Sequence, residues 1–464
     1  MRNSAGRDSC GACGGNMETP IYTRLNEYHK KSRIPFAMPG HKNLRGLSPD
    51  LQMCDVTELS ATVDLHHEDE YVCRANRLLS EQYKTRRSFI LTGGSTAGIM
   101  AMLASVLKPG DTLAAAADCH ISVINACAVC GFKLRLLPVT LDSRFLVPRG
   151  LAECGIAEDV SALLVTSPNY YGITEDIGRL SGECRRRGII LLADEAHGAH
   201  FIGSESFPPS AAELGADMVC QSAHKTLNAL TGAAYLHICS DNIDTERVKR
   251  MLCAFQSSSP SYPIAASADA ARAALAETKY DEIIEECERF KEALSHTTGI
   301  RVLCNDDPTR IVLCFSEYET TGYEILAVLS ERYGIDAEMA DLVNVVLIAS
   351  PWNTHNDFME LFRALREITE GLCARAKKLS IPPYYPEKTA ADPHSVWFGR
   401  SELVPIGQAE GRTAAAAAAA YPPGTGIIIP GSKISAGQIE YINMLREAGA
   451  EIAGMRDGKI EVAV

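Results

Sequence analysis

The strongest constraint on the fold is a regular alternation of short apolar runs and helical patterns between about residues 76 and 265. The apolar runs read SFILTGG, DTLAAAAD, ALLVTSP, GIILLADE and ADMVCQS. Runs of this length are typical of strands that are buried on both faces. The segments between them, such as STAGIMAMLASVL and LSGECRRRG, are typical of helices. The alternation therefore predicts an α/β fold in which helices cover both faces of a mostly parallel sheet.

Three further parts surround this large domain of residues 76–265. Residues 1–75 are expected to form an N-terminal segment, in which a polar, glycine-rich lead precedes one helix and extended pieces. Residues 266–375 are expected to form a smaller α+β domain, and residues 376–464 a proline-rich linker and a C-terminal domain. A chain of 464 residues is long enough for two or three domains with sizeable cores.

The smaller parts have their own helix and strand patterns. Residues 270–294 read as one long helix, followed by strands at RIVLCFS and LVNVVLIAS and a helix at NDFMELFRALREITEGL. The alanine run of residues 414–420 is predicted to be a helix or another packed segment rather than low-complexity filler. A last helix is expected near residues 436–448.

One acid and one lysine of the large domain point to a cofactor. Asp194 ends the apolar run LLAD, as a residue at the C-terminal end of a buried strand would, and Lys225 follows in the short polar turn SAHK. Pyridoxal 5′-phosphate (PLP) needs a lysine for its Schiff base and a carboxylate that keeps its pyridine nitrogen protonated. The pair is therefore compatible with a PLP site but does not establish one, and the strings around the two residues are what make it the prediction.

The string LTGGSTAG predicts where a phosphate group would bind. Gly94 allows a tight turn after a strand, and Ser95 and Thr96 then open a helix. Free backbone N–H groups, two hydroxyls and the positive end of the helix dipole would converge there on one anion. An ordinary capped helix explains the string equally well when it is taken alone.

The chain resembles the Orn/Lys/Arg decarboxylase family of fold-type I PLP enzymes, in its short bacterial form. The matching strings keep the family's order along the chain. They are PFAMPGHK (35–42), DVTELSATVDLHH (55–67), LTGGSTAG (91–98), DCHISVINA (118–126), SPNYYGITEDI (167–177), ADEAHGAHF (193–201), SAHKTLNALTG (222–232), SSSPSYP (257–263) and YPPGTGIIIPG (421–431). The resemblance implies an aspartate-aminotransferase-like fold, with a large PLP-binding domain and smaller C-terminal domains.

The resemblance also implies roles for single residues. His120 would stack on the PLP ring, and His197 would lie near the ring oxygen or Asp194. Ser222 and His224 would make further contacts to the phosphate or the cofactor. Ser258 would reach the phosphate of a partner subunit, so that the active site forms across a homodimer interface or in a dimer of dimers.

The reaction implied by the resemblance is decarboxylation of arginine, lysine or ornithine, giving a polyamine precursor. Lys225 and His224 are the candidate proton donors to the substrate Cα. One departure leaves the substrate open, because family members commonly have glutamate where this chain has Ser432. A serine cannot replace a carboxylate that pairs with a distal cation. The alternatives are compensation by another acid and a fold-type I enzyme of different chemistry, such as an aminotransferase, a lyase or a decarboxylase of a neutral amino acid. A non-catalytic PLP-fold protein is disfavoured by the intact set Lys225, Asp194 and His120.

Composition excludes several other classes of protein. The formal net charge of −13 argues against non-specific binding to nucleic acid, and it suits a cationic substrate. No apolar run is long enough for a membrane span, and residues 1–20 lack the apolar core of a signal peptide, so a cytoplasmic location is expected. The CxxC strings Cys10–Cys13 and Cys127–Cys130 are expected to be reduced thiols, with metal or redox use as the alternative, and no metal site is predicted.

Overall fold

A computed structural model describes residues 18–30, 54–153, 155–376 and 389–464. Its centre is a seven-stranded sheet in the order β1-β9-β8-β7-β6-β2-β3. Six strands run in one direction, and only β9 is antiparallel to its neighbours. The sheet strands are β1 (Arg87–Leu91), β2 (Thr112–Ala116), β3 (Lys133–Leu137), β6 (Val160–Thr166), β7 (Ile190–Asp194), β8 (Met218–Gln221) and β9 (Ala234–Ile238). The predicted α/β fold with a mostly parallel sheet is confirmed.

Helices connect these strands and cover the sheet. Strands β2, β8 and β9 are buried at every residue, as expected when both faces of a sheet are covered. A short hairpin of β4 (Val139–Leu141) and β5 (Pro148–Leu151) lies beside the sheet. The helices up to residue 255 are α1 (Pro20–Lys30), α2 (Glu70–Gln82), α3 (Gly94–Val106), α4 (Ile121–Cys130), α5 (Ile177–Arg187), α6 (Ala223–Thr226) and α7 (Thr245–Phe255).

The prediction of one continuous helix over residues 270–294 is wrong. The structure has two helices, α8 (Tyr262–Leu275) and α9 (Asp281–Thr297). Between them the chain turns to bury Tyr280, whose ring centroid lies 5.3 Å from that of Phe207. Asp281 then begins α9, where a carboxylate is favourable near the helix N-terminus. Burial of one aromatic side chain thus interrupts a pattern that is otherwise helical throughout.

The small α+β region has an antiparallel sheet in the order β10-β11-β13-β12. The predicted strands at β11 (Arg310–Cys314) and β13 (Asn344–Ile348) and the predicted helix α11 (His355–Glu370) are confirmed. Helix α10 (Gly322–Tyr333) was not predicted, although its capping box of Thr321 and Glu324 is a sequence signal for a helix start. The edge strands are β10 (Arg301–Val302) and β12 (Met339–Ala340).

The C-terminal region folds into two small three-stranded sheets around α13 (Ala436–Glu447), the helix expected near its end. The alanine run is packed and extended, so of the two predicted forms, a helix or another packed segment, it has the second. Ala418–Ala420 forms β15, paired on both sides. The backbone at Gly454 lies so close to this run that a Cβ there would be 1.9 Å from the Ala417 carbonyl oxygen. This position therefore requires glycine. The other elements are α12 (Pro393–Trp397), β14 (Ser401–Pro405), β16 (Thr425–Ile428), β17 (Ile452–Ala453), β18 (Met455–Arg456) and β19 (Lys459–Ala463).

The division into four parts stays a prediction. Helix α1 is the helix expected in the N-terminal segment, and α2 crosses residue 75, where that segment was expected to end. The string PFAMPGHK and the pair Cys10–Cys13 lie outside the described residues. Within the described part of the chain, no helix is long and apolar enough to cross a membrane.

Candidate active site

A cavity of about 310 Å³ lies beyond the carboxyl ends of the parallel strands, the edge at which α/β sheets bind ligands. Residues that follow β2, β6, β7 and β8 line it together with the start of α3 and a turn of the C-terminal region. The lining residues are Gly93, Gly94, Ser95, Thr96, Asp118, His120, Pro148, Thr166, Asn169, Tyr170, Tyr171, Asp194, Ala196, His197, His224, Lys225, Thr231, Gly232, Tyr421, Pro423 and Thr425. The cavity thus brings together eight of the ten predicted site residues.

Asp194 is the last residue of β7 and is almost fully buried. Its Oδ1 accepts a hydrogen bond from the Ala196 N–H at 3.2 Å, and no basic group of the described chain lies within ion-pair distance. Burial raises the pKa of Asp194, while the neighbouring His120 and Lys225 lower it. A buried carboxylate without a cationic partner is costly. A protonated ring nitrogen bound in the cavity would supply that partner.

Lys225 lies on the short helix α6, directly after β8. Its Nζ is 3.0 Å from His197 Nε2 and 5.7 Å from the centroid of the Tyr170 ring. Burial lowers the pKa of Lys225, although the negative charge of Asp194 raises it. A lysine with a lowered pKa has more of the neutral amine that attacks an aldehyde.

His197 connects Lys225 to a buried arginine. Burial, together with the charges of Lys225 and Arg310, holds the pKa of His197 well below its usual value, so the imidazole is neutral. Arg310 Nη2 lies 3.4 Å from His197 Nδ1, and a guanidinium can only donate. The His197 proton therefore belongs on Nε2, from which it is donated to Lys225 Nζ. Lys225 can accept this hydrogen bond only as a neutral amine.

His120 caps the N-terminus of α4 and faces the cavity. Burial lowers its pKa, which Asp194 raises and Lys225 lowers. The C-terminal region holds this ring in place: the N–H of Ile121 donates to the Gly424 carbonyl at 2.8 Å, and a Cβ on Gly424 would lie 2.9 Å from the imidazole. Gly424 has φ +84°, so both its backbone and the close approach of His120 require glycine.

The start of α3 is suited to an anion. Gly94 has φ +69° and begins the helix, and no side chain caps the first turn. Ser95 and Thr96 line the cavity at this point. The Ser222 hydroxyl donates to Ser95 Oγ at 2.8 Å, so Ser222 lies behind Ser95 rather than on the cavity wall. His224 lines the cavity, and its Nδ1–H donates to the Ala233 carbonyl at 2.8 Å.

Besides Ser222, two residues that the sequence singled out do not line the cavity of their own chain. Ser258 is exposed in the loop between α7 and α8. Ser432 is fully buried in the C-terminal region, where its hydroxyl donates to the Ile429 carbonyl at 2.8 Å. Ser432 is therefore a structural residue at this place. Cys127 and Cys130 are free thiols at the end of α4, and the described residues contain no cluster that could hold a metal ion.

Several cavity residues were not assigned a role from the sequence. Burial raises the pKa of Asp118 to about 7, and its Oδ1 has no hydrogen-bond partner, like Thr166 Oγ1. Asn169, Tyr170 and Tyr421 complete this group. The strings SPNYYGITEDI and YPPGTGIIIPG contained the last three residues, but only the fold shows that both strings meet at one cavity.

The residues fit PLP. A buried carboxylate without a partner, an amine with a lowered pKa and an uncapped helix start match the ring nitrogen, the aldehyde and the phosphate of this cofactor. The sheet topology and these groups define the class, the fold-type I PLP enzymes.

Comparison with known proteins identifies the family. The model of the Orn/Lys/Arg decarboxylase major domain matches residues 19–312, and that of the C-terminal domain matches residues 379–458. The chain therefore belongs to the Orn/Lys/Arg decarboxylase family and is an amino-acid decarboxylase.

Relatives agree over nearly the whole chain. An uncharacterised protein of Bacillus subtilis, YaaO, is 34% identical, with 94% of this chain and 96% of that protein aligned. An arginine decarboxylase of Halalkalibacterium halodurans is 28% identical, with 95% and 96% aligned. The constitutive lysine decarboxylase of E. coli has the same fold, with a TM-score of 0.81 over 97% of this chain and 82% of that one, at 17% identity.

Proposed function

We propose that this chain binds PLP through Lys225 and decarboxylates a basic L-amino acid, arginine ahead of lysine and ornithine. The observation that carries the proposal is the placement of Asp194 and Lys225 in one cavity of a decarboxylase-family fold. The preference for arginine is supported by the relatives that are named arginine decarboxylases. The product would be a polyamine precursor, made in the cytoplasm.

Different cavity residues would hold the ring nitrogen, the ring face and the phosphate of the cofactor. Asp194 would hold the pyridine nitrogen, and His120 would cover one face of the ring. Ser95 and Thr96, with Ser222 and His224 behind and beside them, would hold the phosphate. When bound, PLP withdraws the electron pair left at Cα by the departing carboxylate. The protein must exclude water from the cavity and then return a proton to Cα.

Two residues are candidates for that proton. His224 donates its Nδ1–H to the Ala233 carbonyl, and burial lowers its pKa, so a neutral His224 has no proton left on Nε2. Lys225 is mobile at its end and can carry a proton once the substrate has replaced it on the cofactor. This difference favours Lys225 as the proton donor.

The active unit is proposed to be a homodimer or a dimer of dimers. Ser258 is exposed and lies away from the cavity of its own chain, as a residue that serves a partner would. Its hydroxyl would add one donor to the phosphate held by Ser95 and Thr96 of the other subunit.

The test is an assay of carbon dioxide and amine release with a panel of amino acids. Release from arginine, and its loss in Lys225→Ala together with the visible absorbance of the bound cofactor, supports the proposal. Borohydride reduction that fixes the cofactor on a different lysine contradicts the assignment of Lys225. Decarboxylation of neutral amino acids alone favours the second candidate, a decarboxylase of a neutral amino acid, which the uncharged Ser432 keeps open.

A further inference from the structure

The far end of a basic substrate carries a positive charge, and Ser432 offers no charge to pair with it. Ser432 is also fully buried and its hydroxyl is already bonded to Ile429. Two acids line the cavity. Asp194 is committed to the ring nitrogen in the proposed function. Asp118 lies close enough to Asp194 for their charges to interact, so it belongs to the end of the cavity assigned to the ring nitrogen and not to the far end of the substrate.

Glu338 is a third acid, which does not line the cavity itself but bonds to Tyr170, a residue that does. It precedes β12, and its N–H donates to the Val346 carbonyl at 2.9 Å, which fixes its backbone to the small sheet. Its Oε1 accepts a hydrogen bond from the Tyr170 hydroxyl at 2.6 Å. The Tyr170 ring in turn lies over Lys225 Nζ, with 5.7 Å between the centroid and the nitrogen, and packs on the His197 ring at 4.4 Å.

Tyr170 therefore connects Glu338 with Lys225, since its hydroxyl bonds to Glu338 and its ring lies against Lys225 Nζ. In the proposed function, Lys225 marks the end of the cavity at which the substrate reacts. Lysine and arginine carry their charge at the end of a long side chain, which can extend from the reacting end toward Glu338. The Glu338 side chain is exposed to solvent. The negative charge of Glu338 acts on two cavity residues. Burial lowers the pKa of Lys225 and of His224, whereas this charge raises both.

We infer that Glu338, positioned by Tyr170, binds the distal cation of the substrate and sets the preference for basic amino acids. This inference rests on the proposed function, since it concerns the same site. A planar guanidinium could bind the carboxylate through two parallel hydrogen bonds, whereas an ammonium would use one. The geometry thus favours arginine over lysine at this position.

The experiment compares wild type with Glu338→Gln, which keeps the hydrogen-bond acceptor for Tyr170 and removes the charge. Two inhibitors are used with the cofactor-loaded enzyme: agmatine, the amine that decarboxylation of arginine yields, and pentylamine, which has no distal cation. We expect the inhibition constant of agmatine and the KM for arginine to rise about ten-fold, as for one lost charged hydrogen bond. The inhibition constant of pentylamine and the visible absorbance of the cofactor should not change.

Two further variants sharpen the result. Glu338→Asp keeps the charge and should retain part of the preference for agmatine. Glu331→Gln removes an exposed carboxylate from α10 in the same part of the chain and should behave as wild type. If Glu338→Gln changes agmatine and pentylamine equally, or changes neither, the inference is wrong while the proposed function stands. If wild type releases no carbon dioxide from arginine, lysine or ornithine, the proposed function itself fails and the inference fails with it.

Discussion

Lys225 Nζ and His197 Nε2 lie 3.0 Å apart inside the cavity, and Arg310 on the other side of the imidazole determines which atom donates. Because Arg310 can only donate to Nδ1, His197 presents its proton to Lys225. This hydrogen bond stabilises the neutral form of the lysine, at the end of a chain of three buried or half-buried side chains.

This relationship predicts the pH dependence of cofactor capture. Burial depresses the pKa of Lys225 below its ordinary value of 10.5, so the reactive neutral form predominates above the lowered pKa. The rate at which PLP attaches to the cofactor-free protein should rise with pH and reach its midpoint below 10.5. His197→Phe removes the donor that stabilises the neutral amine and should move the midpoint upward. Stopped-flow measurement of the visible absorbance gives the midpoint for wild type and for His197→Phe. A wild-type midpoint at 10.5 would contradict a lowered pKa of Lys225.

Asp194→Asn should leave a folded protein that decarboxylates slowly. The amide cannot hold the pyridine nitrogen protonated, and loss of such a charged partner costs about 3–4 kcal/mol of transition-state stabilisation, or about two to three orders of magnitude in kcat. Single-turnover kinetics on cofactor-loaded protein measure this loss. Glu213→Gln, which alters an exposed carboxylate that does not line the cavity, is a suitable control. A kcat of Asp194→Asn close to wild type would refute the role of the carboxylate.

Ser258 can be tested by complementation between subunits. Ser258→Asp should inactivate a homodimer, because its carboxylate would repel the phosphate. Lys225→Ala should also inactivate it, because the cofactor could no longer bond covalently to the protein. A mixed dimer of the two variants has one site with an intact Lys225 and the wild-type Ser258 of the other chain. Activity in a randomly associated equimolar mixture, up to about one quarter of the wild-type level because half of the dimers are mixed and each has one intact site, supports a shared site. An inactive mixture in which mass spectrometry detects the mixed dimer shows that Ser258 serves its own chain, and an active monomer in light scattering shows that no partner is needed.

Ser432→Glu should not create a site for the distal cation. Ser432 is 0% exposed, so a glutamate there would be a buried charge without a partner and would destabilise the fold by about 3 kcal/mol or more. Ser432→Ala loses only the hydrogen bond to Ile429 and should cost about 1 kcal/mol. Thermal unfolding of the two variants measures this difference. An increase in kcat/KM for arginine in Ser432→Glu, with unchanged stability, would contradict the buried structural role.

Local patterns were sufficient for much of the fold. The apolar runs that became β2, β6, β7 and β8 are recognisable because strands buried on both faces need continuous apolar residues. Prediction failed where a distant contact overrides a local preference. Residues 276–280 interrupt a helical pattern because Tyr280 is buried against Phe207. For the alanine run the sequence left a helix and another packed segment open, and the run is extended because strands on both sides bond to it.

The candidate site divides in the same way. The sequence by itself indicated the chemistry expected of Lys225, Asp194, Ser95 and Thr96, because each lies at a strand end or helix start that the local pattern reveals. The family resemblance then implied a role for each of them. Only the tertiary structure decided that Ser432 is buried, that Arg310 directs the proton of His197 toward Lys225, and that Glu338 bonds to Tyr170 of the cavity wall. Those contacts join residues far apart in the chain, and no local preference encodes which of them meet, since their partners are brought together only when separate sheets pack.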